Sequence, residues 1–243
     1  MKAIYDPVGM ARQATNDYKN RYGNDLVSVV LYGSAAGGDF DPRRSDINLL
    51  VILTTLSHSM LEKSQDIQNQ CMKKRFSRPL FMDKEYITHS LDSFPIEFLT
   101  MKERYTVLYG EDVLKNIRID NHELSIQVER ELKGKWLHLL HEWPGAKKHP
   151  KLLSRLLQVS MGDFSAVFHA LLYLKGVDVP KERKALFAAV TGAFGLDDNA
   201  LEHALEALRN KDKNAMVAVF PAYSQAIKKL ITTVDELSSK EDT

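Results

Sequence analysis

The chain has 243 residues, of which 27% are charged and 44% hydrophobic, as is usual for a globular protein. Its net charge of +1 gives no broad electrostatic field that would recruit nucleic acid or an anionic membrane, although a local basic patch stays open. Cys71 is the only cysteine, which excludes an intrachain disulfide and a thiolate metal cluster. No apolar run approaches the ~20 residues that span a bilayer, and the start lacks the pattern of a signal peptide. We therefore expect a cytoplasmic protein without a membrane or nucleic-acid partner.

The first half of the sequence alternates strand and helix signals. Residues 7–21 predict a helix, and the β-branched residues of 25–33 predict a strand. The apolar run of 46–55 is nearly continuous, which predicts a strand buried on both faces. A polar helix follows, with Ser57 or Ser59 as its cap. Shorter strands are predicted at residues 78–82, 95–101 and 105–110. Together these segments predict one mixed sheet.

The second half carries long helical patterns and almost no strand signal. Leu124, Val128 and Leu132 repeat at helical spacing, and a second helix is predicted between Pro150 and Gly176. The fold class is therefore α+β, with a mixed-sheet domain over residues 1–117 and an all-α helical bundle over residues 118–243.

The turn after the first strand has the features of an anion site. Gly33 lets a phosphate approach the backbone, the first amides of a following helix point at it, and the Ser34 hydroxyl adds a donor. Such residue pairs also occur in ordinary turns. Eleven residues separate Ser34 from Asp46, which opens the next buried strand, where a carboxylate can hold a Mg²⁺ ion on nucleotide phosphates. Residues 46 and 48 share one side of a strand, so a second acid there would complete a metal site, but the chain has Asn48.

These motifs resemble the nucleotidyltransferase superfamily, which includes DNA polymerase β and the aminoglycoside adenylyltransferases. Gly33, Ser34 and Asp46 match its Gly-Ser and Asp-x-Asp signature, whereas Asn48 departs from it. The resemblance implies that Glu97 is the third acid, on a later strand. In the order of its two domains, the chain also resembles the antibiotic nucleotidyltransferases, whose helical bundle helps to bind the acceptor.

The resemblance implies a function for these residues. Gly33 and Ser34 would hold a nucleoside triphosphate, and Asp46, Asn48 and Glu97 would ligate Mg²⁺. Asp46 and Glu97 would serve catalysis, Glu97 either as a ligand or as the base on an acceptor hydroxyl. A nucleoside monophosphate would pass to an unidentified small molecule or protein.

Two basic residues just before the metal-binding strand bear on the same site. Arg43 and Arg44 could contact phosphate there or be solvated loop charges, and we assign Arg44 to nucleotide binding.

The amide at Asn48 sets a second hypothesis against the first. Loss of one unit charge at ~4 Å and an effective dielectric of ~20 is worth roughly 4 kcal/mol of metal binding before relaxation. We expect Asp39 and Asp41, in a Gly-rich loop, to be loop acids rather than substitutes. The alternative is therefore a catalytically impaired relative that acts as a nucleotide-binding or protein-interaction module.

Several polar residues of the helical half are weaker candidates. Glu129 or Glu131 could face an acceptor as a base, although we favour a solvated helix face for them. Asp163 interrupts an apolar run and is a candidate for acceptor recognition. His138 and His141 lie three apart on a helix, but no further ligand completes a metal site.

Overall fold

The computed structural model describes residues 5–38, 40–42, 45–196 and 199–241. The chain forms two compact units. The first consists of residues 1–92 and 97–119, and the second of residues 93–96 and 120–243.

The first unit is built around a four-stranded sheet in the order β3-β2-β1-β4. Strand β1 is antiparallel to β2 and β4, while β2 and β3 are parallel, so the predicted mixed sheet is confirmed. The elements in chain order are α1 (Pro7–Tyr22), a 3-10 turn (Gly23–Asp25), β1 (Leu26–Tyr32), α2 (Ser34–Gly37), β2 (Asn48–Leu53), α3 (His58–Glu62), α4 (Gln65–Met72), β3 (Leu80–Asp83), α5 (Lys84–His89), α6 (Pro95–Glu103) and β4 (Tyr105–Gly110).

Apolar side chains cover both faces of this sheet. Alternate residues of β1 and β2 pack with Tyr18 of α1 and Cys71 of α4 on one face. Intervening residues of the same strands pack with Ile87 of α5 and Phe98 of α6 on the other. Residues 49–53 of β2 are fully buried, which confirms the burial expected from the continuous apolar run.

Helix α6 replaces the strand predicted at residues 95–101, and that prediction was wrong. Its buried side chains are Ile96, Phe98, Leu99 and Met101. The buried Ile96 and Phe98 lie on either side of the exposed Glu97, as they would in a half-buried strand. Yet 96 and 99, like 98 and 101, are three residues apart, which suits a helix, and a proline at the first helical position is preorganised for one. Over so short a run the two periods cannot be separated by sequence.

The second unit contains long helices packed on one another, as the sequence predicted. They are α7 (Asn121–Ala146), α8 (Pro150–Leu174), α9 (Arg183–Phe194), α10 (Ala200–Asn210) and α11 (Lys213–Glu241). Aromatic groups join α7 and α8 to α11. Trp143 stacks on Phe220 with centroids 3.8 Å apart, and the buried hydroxyls of Ser160 and Tyr223 lie 3.1 Å apart. Among the described residues, no helix has the length and apolarity needed to cross a membrane.

Candidate functional site

Strand pairing brings the predicted phosphate turn and Asn48 to one edge of the sheet. The last residue of β1, Tyr32, pairs with Asn48, the first residue of β2. On the other side of β1, the Gly33 N–H donates to the Arg104 carbonyl at 2.9 Å. The turn is therefore anchored to the sheet at the point where β1 ends.

Gly33 has a backbone conformation that requires glycine. Its φ of 77° and ψ of −151° belong to a region that other residues scarcely adopt. A Cβ built on Gly33 would lie 3.1 Å from Asn48 Nδ2, so the missing side chain also makes room for that amide. The amides of Ala36 and Gly37 donate to the Gly33 carbonyl at 3.1 and 3.0 Å. The amides of Ser34 and Ala35 precede them at the open start of α2, where a helix has no partners of its own for its N–H groups.

Asn48 is held in one orientation by a serine that we did not predict. The Ser77 hydroxyl donates to Asn48 Oδ1 at 2.6 Å. The oxygen of the amide is thereby engaged, and Nδ2 lies toward Gly33. Asn48 consequently presents hydrogen-bond donors, rather than an oxygen ligand, to the turn.

Asp46 lies just before β2, since the strand predicted from residue 46 begins at Asn48. The Asp46 side chain is exposed, and the buried Ile47 separates it from Asn48. The Ile47 N–H donates to the Arg75 carbonyl at 2.9 Å. Burial raises the pKa of the Tyr5 hydroxyl, Arg75 lowers it, and Asp46 raises it.

Residues 73–78 form a basic segment beside Asp46 and Asn48 that the sequence analysis overlooked. Lys73, Lys74, Arg75 and Arg78 supply four cations within six residues, a composition visible in the sequence as KKRFSR. Arg75 has a φ of 62°, in the left-handed region that is uncommon for a residue with a side chain. The segment is tied to residue 47 by two backbone hydrogen bonds, which also position Ser77.

Glu97 does not lie on a strand, which corrects the basis of its predicted role. It is exposed on helix α6, and the strand after it, β4, begins only at Tyr105. The function of Glu97 as ligand or base stays a prediction without that geometric support. Arg44, with Arg43 and Asp39, lies outside the described residues.

Asp83, the acid at the end of β3, does not lie at this edge of the sheet. Asp83 pairs with Leu53 at the far end of β2, about 17 Å from Asn48 at ~3.3 Å per residue. Its carboxylate accepts the N–H groups of Leu56 and Tyr86 at 3.0 and 2.8 Å, and these bonds lower its pKa. Asp83 therefore caps α5 and holds a loop.

The Asn48 amide, as it is oriented here, does not fit the Mg²⁺ ligand role predicted for it. Mg²⁺ requires several oxygen ligands in near-octahedral geometry. Here the Asn48 oxygen is engaged by Ser77, and Glu97 lies on a helix. Within the described part of the chain, no three His, Cys, Asp or Glu side chains are grouped to hold a metal ion. Asp46 retains the exposed carboxylate that the prediction required.

A groove of about 420 Å³ lies between α7 and α8 of the second unit. Glu131 and Asp163 line it together with Arg130, Lys135 and His138. Lys135 forms an ion pair of 2.9 Å with Glu131. Two of the predicted acceptor residues therefore share one groove.

The remaining polar residues proposed for the helical half lie elsewhere or remain exposed. Glu129 pairs with Lys133, which also contacts Asp235 at 2.9 Å. His138 and His141 are both exposed on α7.

Comparison with known proteins adds evidence on the fold. No protein-family model and no curated protein matches the chain. Among solved structures it is similar to spectinomycin adenyltransferase AAD(9) from Enterococcus faecialis with ATP and spectinomycin, with a TM-score of 0.51 and 13% identity. The match covers 89% of this chain and 98% of that chain. The chain thus has the fold of a nucleotidyltransferase, which confirms the fold implied by the sequence resemblance.

Proposed function

We propose that this protein binds a nucleoside triphosphate at the turn formed by Gly33 and Ser34. The observation that carries the proposal is the geometry of this turn, in which a glycine-only conformation leads into the first amides of α2. Open amides at such a position bind phosphate oxygens well, because their N–H groups have no partner within the helix. The shared fold supports it, since the structural relative contains ATP.

Within this function we favour a nucleotide-binding module with impaired group transfer, the second of the hypotheses drawn from the sequence. The amide at Asn48 supplies no negative charge, and Ser77 engages its oxygen. Phosphoryl transfer depends on neutralising charge around the transferred group. A site without the expected ligands can hold a nucleotide and still transfer it poorly.

Calorimetric titration with ATP, GTP, CTP and UTP tests nucleotide binding directly. We expect at least one of the four to bind, and Ser34→Ala to weaken it about tenfold, because a hydrogen bond to a charged phosphate contributes roughly 1.5 kcal/mol. Ser125→Ala is the matched control, since its hydroxyl bonds only to the carbonyl of His122 within α7. Absence of binding by all four nucleotides would exclude the proposed function.

Transfer of a nucleoside monophosphate to a hydroxyl acceptor is the second candidate. It is favoured by the likeness to an adenyltransferase and by the exposed Asp46 carboxylate. This transfer is measured as the release of pyrophosphate from ATP in the presence of Mg²⁺ and spectinomycin, the compound named with the structural relative. Release above that of an Asp46→Ala variant would establish transfer to this acceptor, and equal release would count against it.

We further propose that the groove between α7 and α8 serves as the acceptor site of the helical unit. Asp163 is exposed there and can pair with a cationic group on an acceptor. Saturation-transfer NMR with spectinomycin checks this, because Asp163→Asn should reduce the transfer signal. An unchanged signal would place the acceptor elsewhere.

A further inference from the structure

The orientation of Asn48 decides what kind of ligand the turn can hold. Its oxygen is 2.6 Å from the Ser77 hydroxyl, and its nitrogen is the atom nearest to the vacant Cβ position of Gly33. An amide held in this way offers two N–H donors on the turn side. Such donors bind phosphate oxygens and repel a metal cation.

Arg75 adds a positive charge at the same sheet edge. Its carbonyl accepts the Ile47 N–H, which fixes the backbone of the basic segment beside Asp46. The Tyr5 hydroxyl donates to the Lys74 carbonyl at 3.1 Å, next to Arg75 in the chain, and the charges of Arg75 and Asp46 both act on the pKa of that hydroxyl. Arginine suits phosphate because its planar group carries several donors in a fixed arrangement.

We propose that the nucleotide phosphates bind here without a divalent cation, through the Asn48 amide, the Ser34 hydroxyl and the Arg75 guanidinium, with Ser77 as the residue that positions Asn48. This inference rests on the proposed nucleotide-binding function and specifies its chemistry. In a site with two or three carboxylates, Mg²⁺ supplies the positive charge that neutralises the nucleotide phosphates. Here the protein itself would supply that charge, together with hydrogen-bond donors.

Calorimetry of the wild-type protein with ATP, once with excess EDTA and once with Mg²⁺, tests the inference. We expect dissociation constants that agree within about threefold, because no ligand of the site depends on a cation. ATP binding only with Mg²⁺ would overturn the inference and leave nucleotide binding intact. Absence of binding by ATP and the other three nucleoside triphosphates in both buffers would remove the proposed function as well.

Three substitutions test the donors separately in EDTA. Asn48→Asp replaces the donors by a negative charge, so ATP should bind at least tenfold more weakly in EDTA and recover with Mg²⁺. Arg75→Gln should weaken binding in EDTA, whereas Arg118→Gln, which removes a charge from an exposed position after β4, should not. Equal affinity of Asn48→Asp and wild type in EDTA would contradict the assigned donor role.

Ser77 is distinguished from a merely structural residue by rescue and by metal dependence. Ser77→Ala frees the amide to reverse, which should weaken binding in EDTA about fivefold and make it respond to Mg²⁺. Ser77→Thr keeps the hydroxyl and should retain wild-type affinity in both buffers. Thermal unfolding of each variant verifies the fold. If Ser77→Ala binds ATP like the wild type in both buffers, Ser77 has no positioning role.

Discussion

Replacing Gly33 by alanine tests the turn through its backbone. A φ of 77° with a ψ of −151° costs a residue with a side chain about 1–3 kcal/mol. The new Cβ would also lie 3.1 Å from Asn48 Nδ2, close enough to displace the amide. We expect a loss of about 2 kcal/mol in the free energy of unfolding and a reduction of ATP affinity by more than tenfold.

The matched control for this substitution is Gly176→Ala. Gly176 has a φ of 66° at the end of α8, and nothing lies within 4 Å of its Cβ position. The Gly176→Ala variant should therefore lose about 1–2 kcal/mol of unfolding free energy from backbone strain alone and keep its ATP affinity. Urea denaturation gives the stability of each variant, and calorimetry gives its affinity. Wild-type affinity in Gly33→Ala, or equal loss in both variants, would refute the assignment of the phosphate site to this turn.

Three further predictions concern the stability of the fold. Gly110→Ala should lower the free energy of unfolding by more than about 3 kcal/mol in urea denaturation, because its Cβ would overlap the Val27 carbonyl oxygen at 1.9 Å, and a loss below about 1 kcal/mol would contradict the β1–β4 pairing. Hydrogen bonds from two backbone amides lower the pKa of Asp83, so its stabilising contribution is present above the unfolded pKa near ~4 and is lost as the pH falls through the lower folded value. As the pH falls across that range, the free energy of unfolding measured by denaturation should decrease less for Asp83→Asn than for the wild type. Identical dependence on pH in the two proteins would exclude this contribution. Tyr223→Phe should lower stability by about 1 kcal/mol in urea, since the buried Ser160 hydroxyl loses a partner, and an unchanged midpoint would show that this hydrogen bond is not stabilising.

The sequence predicted the turn well because its signals are local. A strand of β-branched residues, a Gly-Ser pair and a short run of small residues each act on their own neighbours, and β1, Gly33 and α2 follow from them. Strand direction then brings residue 48 beside the turn, since β1 and β2 are antiparallel neighbours.

The sequence could not predict the contacts that give the site its chemistry. Ser77 meets Asn48 across 29 positions, through a pairing that only the folded sheet creates. Arg75 and the rest of the basic segment were visible as a charge run, but a charge run is usually a solvated face. Glu97 was misplaced because the seven residues 95–101 are too short a run for the sequence to separate the period of a strand from that of a helix.

Nuclear magnetic resonance of the ¹⁵N-labelled protein, titrated with ATP in EDTA, tests nucleotide binding at this turn most directly. We predict that the largest shifts occur in the backbone amides of Gly33, Ser34 and Ala35 and in the side-chain amide of Asn48. These groups lie together at the sheet edge where β1 ends and α2 begins. Binding of ATP that shifts other residues and leaves these four groups unchanged, or the absence of any shift, would contradict the assignment of a nucleotide site to this turn.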